Sequence, residues 1–149
     1  VMKNNTINIK VRWADVDANR HVRHSAYYDY GAHARIFMFD LMGFDSKMMS
    51  KLNIGPVIFK EECTFLKELY LSEEITVNIL KDANNKLDGS KWKLHHEIFN
   101  SKNQKCAHIT LSGAWIDLSK RKLTTPPTAL AQALHELPEG KDFVYAKKN

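Results

Sequence analysis

Apolar and polar residues alternate along several segments of the chain, and this period of two is the pattern of strands that bury one face. In the first segment, residues 6–13, one side is formed by Ile7, Ile9, Val11 and Trp13. The same alternation predicts later strands at residues 57–69, 74–81, 91–99 and 105–118. The connections between these later strands are short and rich in turn-forming residues. Such connections favour antiparallel neighbours.

A helical period lies between the first strand and the others. Apolar and small residues recur at helical spacing from Ser25, the predicted N-cap, to Met42, and Gly43 follows as the predicted C-terminal cap. Much of this helix is apolar on nearly all sides, which indicates burial on most sides. Gly31 lowers the stability of a helix by about 1 kcal/mol relative to alanine, so we expect another element to approach it closely. Shorter helices are predicted at residues 45–52 and 128–137.

One long helix beside about five antiparallel strands predicts an α+β domain in which the sheet curls around the helix. The length of 149 residues suits one domain with one core, so we assign residues 1–149 to a single domain. Hydrophobic residues make up 44% and charged residues 26% of the chain, which excludes disordered, collagen-like and coiled-coil classes.

Cysteine usage and hydropathy indicate a cellular compartment. Cys63 and Cys106 are far apart and form no CxxC motif, so a disulfide scaffold or a cysteine-rich zinc site is not expected. No apolar run is long enough to span a bilayer, and the first five residues lack the apolar core of a signal peptide. We therefore expect a cytoplasmic protein without a membrane partner.

The net charge of +5, from 22 Lys and Arg against 17 Asp and Glu, suits an anionic partner. This charge alone does not distinguish nucleic acid, a membrane surface and a phosphorylated small molecule. Tyr27, Tyr28 and Tyr30 lie near arginines, as in proteins that stack nucleic-acid bases, but their helical spacing favours packing in the core. No nucleic-acid partner is expected.

The polar loop at residues 14–21 joins the first strand to the long helix and contains Asp15, Asp17 and His21. The first amides of a helix lack internal partners and carry partial positive charge, so they can stabilise an oxyanion. Asp17 lies just upstream and can face the same space, where its carboxylate would deliver or activate a nucleophile. Two alternatives remain open. The aspartates serve only as turn or capping residues, or His21 and His24 belong to a metal site for which the pattern offers no third ligand.

A longer motif runs from the end of the first strand into the helix. It consists of Trp13, Asp15, Asp17, the run from Arg20 to His24, Tyr27, Tyr30, Ala34 and Arg35. In this motif and in the order of its elements the chain resembles the 4-hydroxybenzoyl-CoA thioesterase-like family of hot-dog acyl-CoA thioesterases. That family carries an aromatic residue, Asp-x-Asp, Gly-His-Val-Asn-Asn, a helical tyrosine and Ala-Arg. Here Arg20 replaces the glycine, Arg23 and His24 replace the asparagines, and Ala32 stands where many members carry glutamate.

The resemblance implies a hot-dog fold, with the antiparallel sheet wrapped around one central helix, and hydrolysis of an acyl-CoA thioester. Asp17 would be the catalytic carboxylate, acting as nucleophile or as general base. The backbone amide near His24 would polarise the thioester oxygen, and His21, which matches the family's histidine, would hydrogen-bond to the loop or to the substrate. No metal and no cofactor are implied. The expected substrate-binding residues are Arg23, Tyr27 and Glu62.

The expected partner is an acyl-CoA substrate, whose phosphates would meet Arg20, Arg23 or the basic cluster of Lys120, Arg121 and Lys122. A homodimer or homotetramer with active sites at the subunit boundary is implied, because a sheet wrapped around one helix leaves open edges. Two alternatives remain: an acyl-carrier-protein thioesterase and an acyl-CoA-binding protein without turnover. Hydration of an enoyl thioester is less favoured, since no Asp/His dyad stands at hydratase spacing.

Other notable residues are assigned structural roles. Glu61 and Glu62 interrupt an apolar strand, and an ion pair with lysine or arginine is the favoured explanation. The alternative is that one of them lies near a subunit boundary or the acyl pocket. His96 shares a strand face with apolar residues, so we expect a hydrogen-bonded core histidine. Cys63 and Cys106 lie on predicted strands, where buried and inert thiols are the usual case.

Overall fold

The computed structural model describes residues 5–144, and predictions that concern the two ends of the chain, including the outer limits of the domain, lie outside these residues. The helices are α1 (His24–Leu41), α2 (Ser46–Leu52) and α3 (Thr128–His135). No helix in this range is both long and apolar enough to cross a membrane. The strands are β1 (Thr6–Lys10), β2 (Ile54–Phe65), β3 (Glu74–Asn78), β4 (Leu80–Asp82), β5 (Lys91–Phe99), β6 (Lys105–Asp117), β7 (Leu123–Thr124) and β8 (Glu139–Gly140).

The long strands form one antiparallel sheet in the order β2–β6–β5–β3–β1. β4 continues β3, because both pair with β5 in one register: Val77 faces Ile98 and Leu80 faces His95. The two segments are therefore one strand interrupted at Ile79. The short β7 pairs with β6, and β8 runs parallel to β4. The predicted α+β domain with about five antiparallel strand positions is confirmed for residues 5–144.

Helix α1 packs on one face of the sheet, which we call the inner face. It contacts β1, β3 and β6, and the buried side chains there include Met38 of the helix and Ile109 and Trp115 of β6. Gly31 lies directly against the sheet, since a Cβ atom at this position would be 3.0 Å from His96 Cδ2. The predicted close approach to Gly31 is confirmed.

Two element ends near the polar loop differ from the prediction. β1 ends at Lys10, because a 3-10 turn over Trp13–Asp15 redirects the chain, and the Trp13 side chain is 81% exposed instead of joining a strand face. Helix α1 begins at His24 with Arg23 as its N-cap. The predicted cap, Ser25, lies inside the first turn, where its hydroxyl accepts a hydrogen bond from Arg23 Nη1 at 2.6 Å.

The other end of α1 follows the prediction, and the end of β2 does not. Gly43 follows the helix at a φ of 89°, the left-handed conformation expected of a C-terminal glycine cap. The strand predicted at residues 57–69 stops at Phe65. There the Leu66 amide donates to the carbonyl oxygen of Cys106 at 2.8 Å, and the chain leaves the strand ladder.

Candidate active site

Backbone hydrogen bonds close the loop between β1 and α1. Val16 and Val22 form an antiparallel bridge, and the Asp17 amide donates to the carbonyl oxygen of His21 at 2.8 Å. Arg20 turns the chain at a φ of 68°, in the left-handed region that favours glycine. The loop therefore keeps a conformation that suits the glycine of the resembled family, although arginine occupies the position.

The Asp17 carboxylate is exposed to solvent and held by its own loop. Its Oδ1 accepts hydrogen bonds from the amides of Asn19 at 2.8 Å and His21 at 3.4 Å. Its Oδ2 has no protein donor among residues 5–144. These contacts orient the carboxylate and leave one oxygen for a substrate or a water molecule.

Helix α1 starts without a side-chain cap, so its first turn keeps unpaired amides. The Ala26 amide donates to the carbonyl oxygen of Arg23 at 3.0 Å, but the amides of His24 and Ser25 have no partner within residues 5–144. Amides at the start of a helix lie at the positive end of its dipole. They can therefore stabilise negative charge that develops on a carbonyl oxygen.

The buried residue Asp15 links the loop to α1 through hydrogen bonds. Its carboxylate is 1% exposed and accepts hydrogen bonds from the Arg12 amide at 3.1 Å, from Arg12 Nη2 at 2.9 Å and from the Tyr30 hydroxyl at 2.9 Å. Its carbonyl oxygen accepts from the Arg23 amide at 2.8 Å. Burial alone would raise the pKa of Asp15, but the hydrogen bonds from Arg12 and Tyr30 outweigh it and hold that pKa below its ordinary value. The position of Asp17 relative to the helix start is fixed through this buried residue.

Asp17, His21, His24 and Tyr27 line one cleft of about 330 Å³, whose opposite wall is formed by residues 65–68. Tyr27 is 4% exposed and packs edge-on against the ring of Phe65, with ring centroids 5.0 Å apart. Burial raises the pKa of Tyr27 to about 12, so its phenol stays protonated at neutral pH. The structure thus brings these four residues of the motif together, and their catalytic and binding roles stay predictions.

Glu68 joins this cleft and has no counterpart in the sequence prediction. Its Oε2 lies 3.3 Å from His21 Nε2 and accepts a hydrogen bond from the Tyr70 hydroxyl at 2.9 Å. A carboxylate can only accept, so it favours the proton on Nε2 of His21 and leaves Nδ1 with a lone pair in the neutral ring. Glu68 lies far from the motif along the chain. A backbone bridge between His21 and Tyr70 and a hydrogen bond from the Val22 amide to the carbonyl oxygen of Leu69 at 2.8 Å bring the two segments together.

The sequence profile of the Thioesterase-like superfamily matches residues 11–134, a range that includes the Asp17 loop, α1 and most of the sheet. The chain belongs to the thioesterase-like superfamily. A comparison with curated proteins found no match.

Several solved structures resemble this superfamily member in fold. A Staphylococcus aureus protein in complex with CoA has a TM-score of 0.81 at 16% identity, with 94% of this chain and 89% of that chain covered. The 1,4-dihydroxy-2-naphthoyl-CoA thioesterase of Synechocystis has a TM-score of 0.77 at 17% identity, with 89% and 96% covered. A gentisyl-coenzyme A thioesterase has a TM-score of 0.75 at 18% identity, with 87% and 98% covered. The hot-dog fold is confirmed by these likenesses and by the superfamily match.

The two remaining predicted site residues of the superfamily member do not line this cleft. Arg23 holds its guanidinium against the surface of α1, where Nη2 lies 3.7 Å from Asp29. Glu62 lies on the sheet face opposite α1, beside Thr110 of β6, and its carboxylate is 2.6 Å from Lys60 Nζ. The ion pair predicted for Glu62 is confirmed. A role of Arg23 or Glu62 in substrate binding stays a prediction.

A second polar group lies under α1. His96 is fully buried, donates from Nδ1 to the carbonyl oxygen of Asn78 at 2.6 Å and accepts from Arg35 Nη1 at 3.0 Å. Burial, with the positive charge of Arg35, lowers the pKa of His96 to about 3. Arg35 also lies 3.7 Å from Glu61. The predictions of a hydrogen-bonded core histidine and of an ion pair for Glu61 are confirmed.

Both cysteines are free thiols. Cys106 is buried and Cys63 is half-buried on β2. Burial raises the pKa of Cys63 to about 12, so the nucleophilic thiolate is strongly disfavoured at neutral pH. The prediction of inert thiols is consistent with this placement.

Proposed function

We propose that this protein hydrolyses an acyl-CoA thioester to the free acid and CoA. The observation that carries the proposal is the shared cleft in which the Asp17 carboxylate, with one free oxygen, adjoins the uncapped first turn of α1. Similar structures with CoA thioesterase activity, and one that binds CoA, add support at the level of the fold. These likenesses support a thioesterase, and the acyl-CoA substrate is the more specific part of the proposal.

The proposed chemistry divides the work between a carboxylate and the backbone. The amides of His24 and Ser25 donate to the thioester oxygen and stabilise the charge that develops when the carbonyl carbon is attacked. Asp17 either attacks that carbon itself, forming a mixed anhydride that water then cleaves, or removes a proton from the attacking water. In both routes the carbon–sulfur bond breaks, the sulfur leaves with CoA and takes up a proton, and water supplies the new oxygen of the acid.

The test is release of free thiol from short, medium, long and aromatic acyl-CoAs by the wild type and by Asp17→Asn. Loss of the carboxylate should lower kcat by about 10²- to 10⁴-fold, the usual contribution of a positioned acid or base. The matched control is Asp40→Asn, an exposed carboxylate in the last turn of the same helix, which should leave kcat unchanged. Wild-type turnover by a folded Asp17→Asn variant would reject the assignment. An acyl adduct on Asp17, trapped by mass spectrometry, would select the nucleophilic route.

The same assay separates the alternatives. Competition by free CoA supports a CoA substrate, whereas turnover of acyl-carrier-protein substrates without such competition indicates a carrier-protein thioesterase. Tight acyl-CoA binding without thiol release would indicate a non-catalytic binding protein. The proposal requires both competition by CoA and release of thiol.

The proposed site for the CoA phosphates differs from the cluster expected from the sequence. The strand β6 begins beside the cleft, at Cys106, and ends at Asp117, just before the basic residues at 120–122. An extended strand between these two residues is about 36 Å long, so the basic cluster lies far from the cleft of the same chain. Lys67 lines the cleft and also an adjoining groove that contains Lys102. We therefore favour Lys67 and Lys102 for phosphates bound by the same chain. Lys67→Gln should raise KM severalfold, and Lys120→Gln should leave KM unchanged.

We further propose a homodimer, with a tetramer as the larger alternative. Among residues 5–144, β2 pairs only with β6, so its second edge is open. Exposed apolar side chains lie at this edge, with Ile58 and Phe59 on β2 and Ile36 of α1 beside Ile58. Pairing through such an edge removes open backbone groups and apolar surface from water. Light scattering should give at least twice the chain mass of 17.2 kDa, and an active monomer would overturn the proposal.

The cytoplasm is the proposed location. Two free cysteines, one of them half-buried, suit a reducing compartment. Cell fractionation should recover the protein with cytoplasmic markers, and recovery from an oxidising compartment would contradict this.

A further inference from the structure

The outer face of the sheet, turned away from α1, carries polar side chains on three adjacent strands. Neighbouring positions of β2, β6 and β5 form three cross-strand rows: Lys60–Ser112–Lys93, Glu62–Thr110–His95 and Thr64–His108–Glu97. None of these residues lines the cleft that contains Asp17. The outer face is therefore chemically separate from the candidate active site.

A buried hydrogen-bond chain crosses this face. Asp82 Oδ2 lies 2.8 Å from His95 Nε2, and His95 Nδ1 lies 3.1 Å from His108 Nε2. Lys105 Nζ lies 2.9 Å from His108 Nδ1 and 2.9 Å from Glu97. His95 is 0% exposed and His108 4% exposed. Buried imidazoles are tolerated when each ring nitrogen has a partner, and both rings meet this condition.

The order of donors and acceptors fixes the proton on each ring. A carboxylate only accepts, so His95 donates from Nε2 to Asp82. A neutral imidazole has one donor and one acceptor nitrogen, so Nδ1 of His95 accepts from His108 Nε2. His108 accepts at Nδ1 from the Lys105 ammonium. Burial, with the charge of Lys105, lowers the pKa of His108 to about 4. His108 is therefore neutral at pH 7 and is held in one orientation.

The C-terminal segment after α3 covers this chain. Its strand β8 pairs with β4, and Gly140 passes over His95, because a Cβ atom on Gly140 would be 3.1 Å from His95 Cδ2. The burial of a histidine on the polar side of β5 therefore depends on this segment.

Beyond β8 the same segment presents a carboxylate and an aromatic ring to the sheet. The Asp142 carboxylate lies 2.9 Å from Lys93 Nζ. The ring of Phe143 lies 6.0 Å from the His108 ring, between centroids, and 5.2 Å from Lys105 Nζ. Lys93 thus binds the Asp142 carboxylate, while Lys105 and His108 face the Phe143 ring.

A cavity of about 390 Å³ remains between this segment and the sheet, and we call it the outer cavity. Its lining includes the hydroxyl groups of Thr64, Thr110 and Ser112, the His108 ring and the Lys93 ammonium. Lys60 and Glu62 also line it and pair with each other at 2.6 Å, so Lys93 is the cation left for an anionic ligand. A volume of this size falls within the range of small-molecule sites.

We propose that the outer cavity, together with the place now taken by the Asp142 and Phe143 side chains, is a second ligand site, which takes a small aromatic carboxylate. Asp142 and Phe143 present there the two groups of such a ligand, with the carboxylate on Lys93 and the ring against His108. The hydroxyl groups in the lining favour a ring with hydroxyl substituents. Asp142 is 62% exposed and β8 has only two residues, so the ligand can displace the segment.

The Lys93 ammonium is the cation that serves the carboxylates at this place. Ligand atoms of Asp82, His95 and Asp142 lie within 4.8 Å of one another, as in cation sites. The Lys93 ammonium already lies 3.6 Å from Asp82 and 2.9 Å from Asp142 and supplies the positive charge. A carboxylate ligand that takes the place of Asp142 keeps Lys93 paired, and the displaced Asp142 carboxylate, already 62% exposed, passes into solvent.

The experiment titrates benzoate, with acetate as the probe that lacks a ring, into the full chain. Benzoate should bind measurably by calorimetry and shift the NMR signals of the His95 and His108 rings, and acetate should bind at least about tenfold more weakly. Lys93→Met should weaken benzoate binding by about tenfold, the usual effect of removing a charged hydrogen bond. The matched control Lys86→Met, an exposed lysine in a turn, should not change it.

The decisive variant removes the internal competitor. The double variant Asp142→Asn/Phe143→Ala should bind benzoate severalfold more tightly if the segment occupies the ligand's place. Weaker binding by this variant, or no binding of benzoate to the wild type, would overturn the proposal. Shifts at His21 and His24 in place of His95 and His108 would also overturn it, because the acid would then occupy the Asp17 cleft. Binding to Asp17→Asn should be unchanged, so the result does not depend on the proposed hydrolysis.

Discussion

The two polar regions of this molecule are built in opposite ways. The Asp17 cleft is open to solvent, its motif residues from Asp17 to Tyr27 are close together in sequence, and backbone amides orient its carboxylate. The outer-face chain from Asp82 to Lys105 has a buried carboxylate and two buried imidazoles, comes from separate strands, and links side chain to side chain. An exposed group held by amides keeps a free oxygen for chemistry. In the buried chain every ring nitrogen already has a partner, so a ligand can contact only the groups that surround the chain.

The largest expected effect concerns stability at mildly acidic pH. The fold lowers the pKa of His96 to about 3 and that of His108 to about 4, against about 6.5 in the unfolded chain. As the pH falls below 6.5, the unfolded chain gains protons that the folded chain does not bind, so the free energy of unfolding falls. Each histidine contributes up to about 1.4 kcal/mol per pH unit until its folded pKa is reached.

Urea unfolding at several pH values between 7 and 4.5 measures this slope. His108→Gln should reduce the slope by about half, because His96 on the inner face continues to contribute. Carboxylates with lowered pKa, such as Asp15 and Asp82, lose their contribution only at lower pH. A free energy of unfolding that stays constant between pH 6.5 and 4.5 would show that the buried rings are not held neutral.

The next effect tests whether the exposed cleft also depends on a buried group. Asp15→Ala removes the acceptor of the buried Tyr30 hydroxyl and of the Arg12 amide and should lower the free energy of unfolding by about 2 kcal/mol, the usual cost of leaving a buried donor without a partner, because the Arg12 guanidinium is exposed to solvent. It should also lower kcat, since the Asp17 loop loses its link to α1. Chemical denaturation and the thiol-release assay measure the two effects. The control Asp40→Ala should change neither, and a stable, fully active Asp15→Ala variant would show that the backbone alone positions the loop.

The contrast explains which parts were predictable from the sequence. The Asp17 loop and the start of α1 are neighbours in the chain, so turn residues, helical period and the motif locate them together. Alternation along β5 also placed His95 and His96 on opposite faces correctly. It could not show that His95 is buried, because that depends on Gly140 and the segment after α3 folding over a polar face. Glu68 escaped prediction for the same reason, since a bridge between distant segments brings it to His21.

A smaller effect is expected at Glu68, whose carboxylate contacts both His21 and the Tyr70 hydroxyl. Glu68→Gln keeps an acceptor for the Tyr70 hydroxyl and removes the charge near His21. The pair is partly exposed, with Glu68 open to solvent and His21 half-buried, so its loss should cost no more than about 1 kcal/mol, or about fivefold in kcat/KM. The thiol-release assay measures it, with Glu74→Gln, an exposed glutamate on β3, as control. A loss as large as that of Asp17→Asn would place His21 at the centre of the chemistry.

The smallest effect is expected at Glu62, whose substitution tests whether the outer face takes any part in the active site. Its carboxylate pairs with Lys60 at the rim of the outer cavity and does not line the Asp17 cleft. Both side chains of this ion pair are more than half exposed, so Glu62→Gln should change stability by less than about 1 kcal/mol. In the thiol-release assay its KM should stay within about twofold of the wild type if the substrate meets one chain only. A larger rise in KM for a folded, dimeric Glu62→Gln variant, with no such rise for Glu74→Gln, would mean that Glu62 contacts the substrate bound to the second chain. The outer face would then be part of the active site.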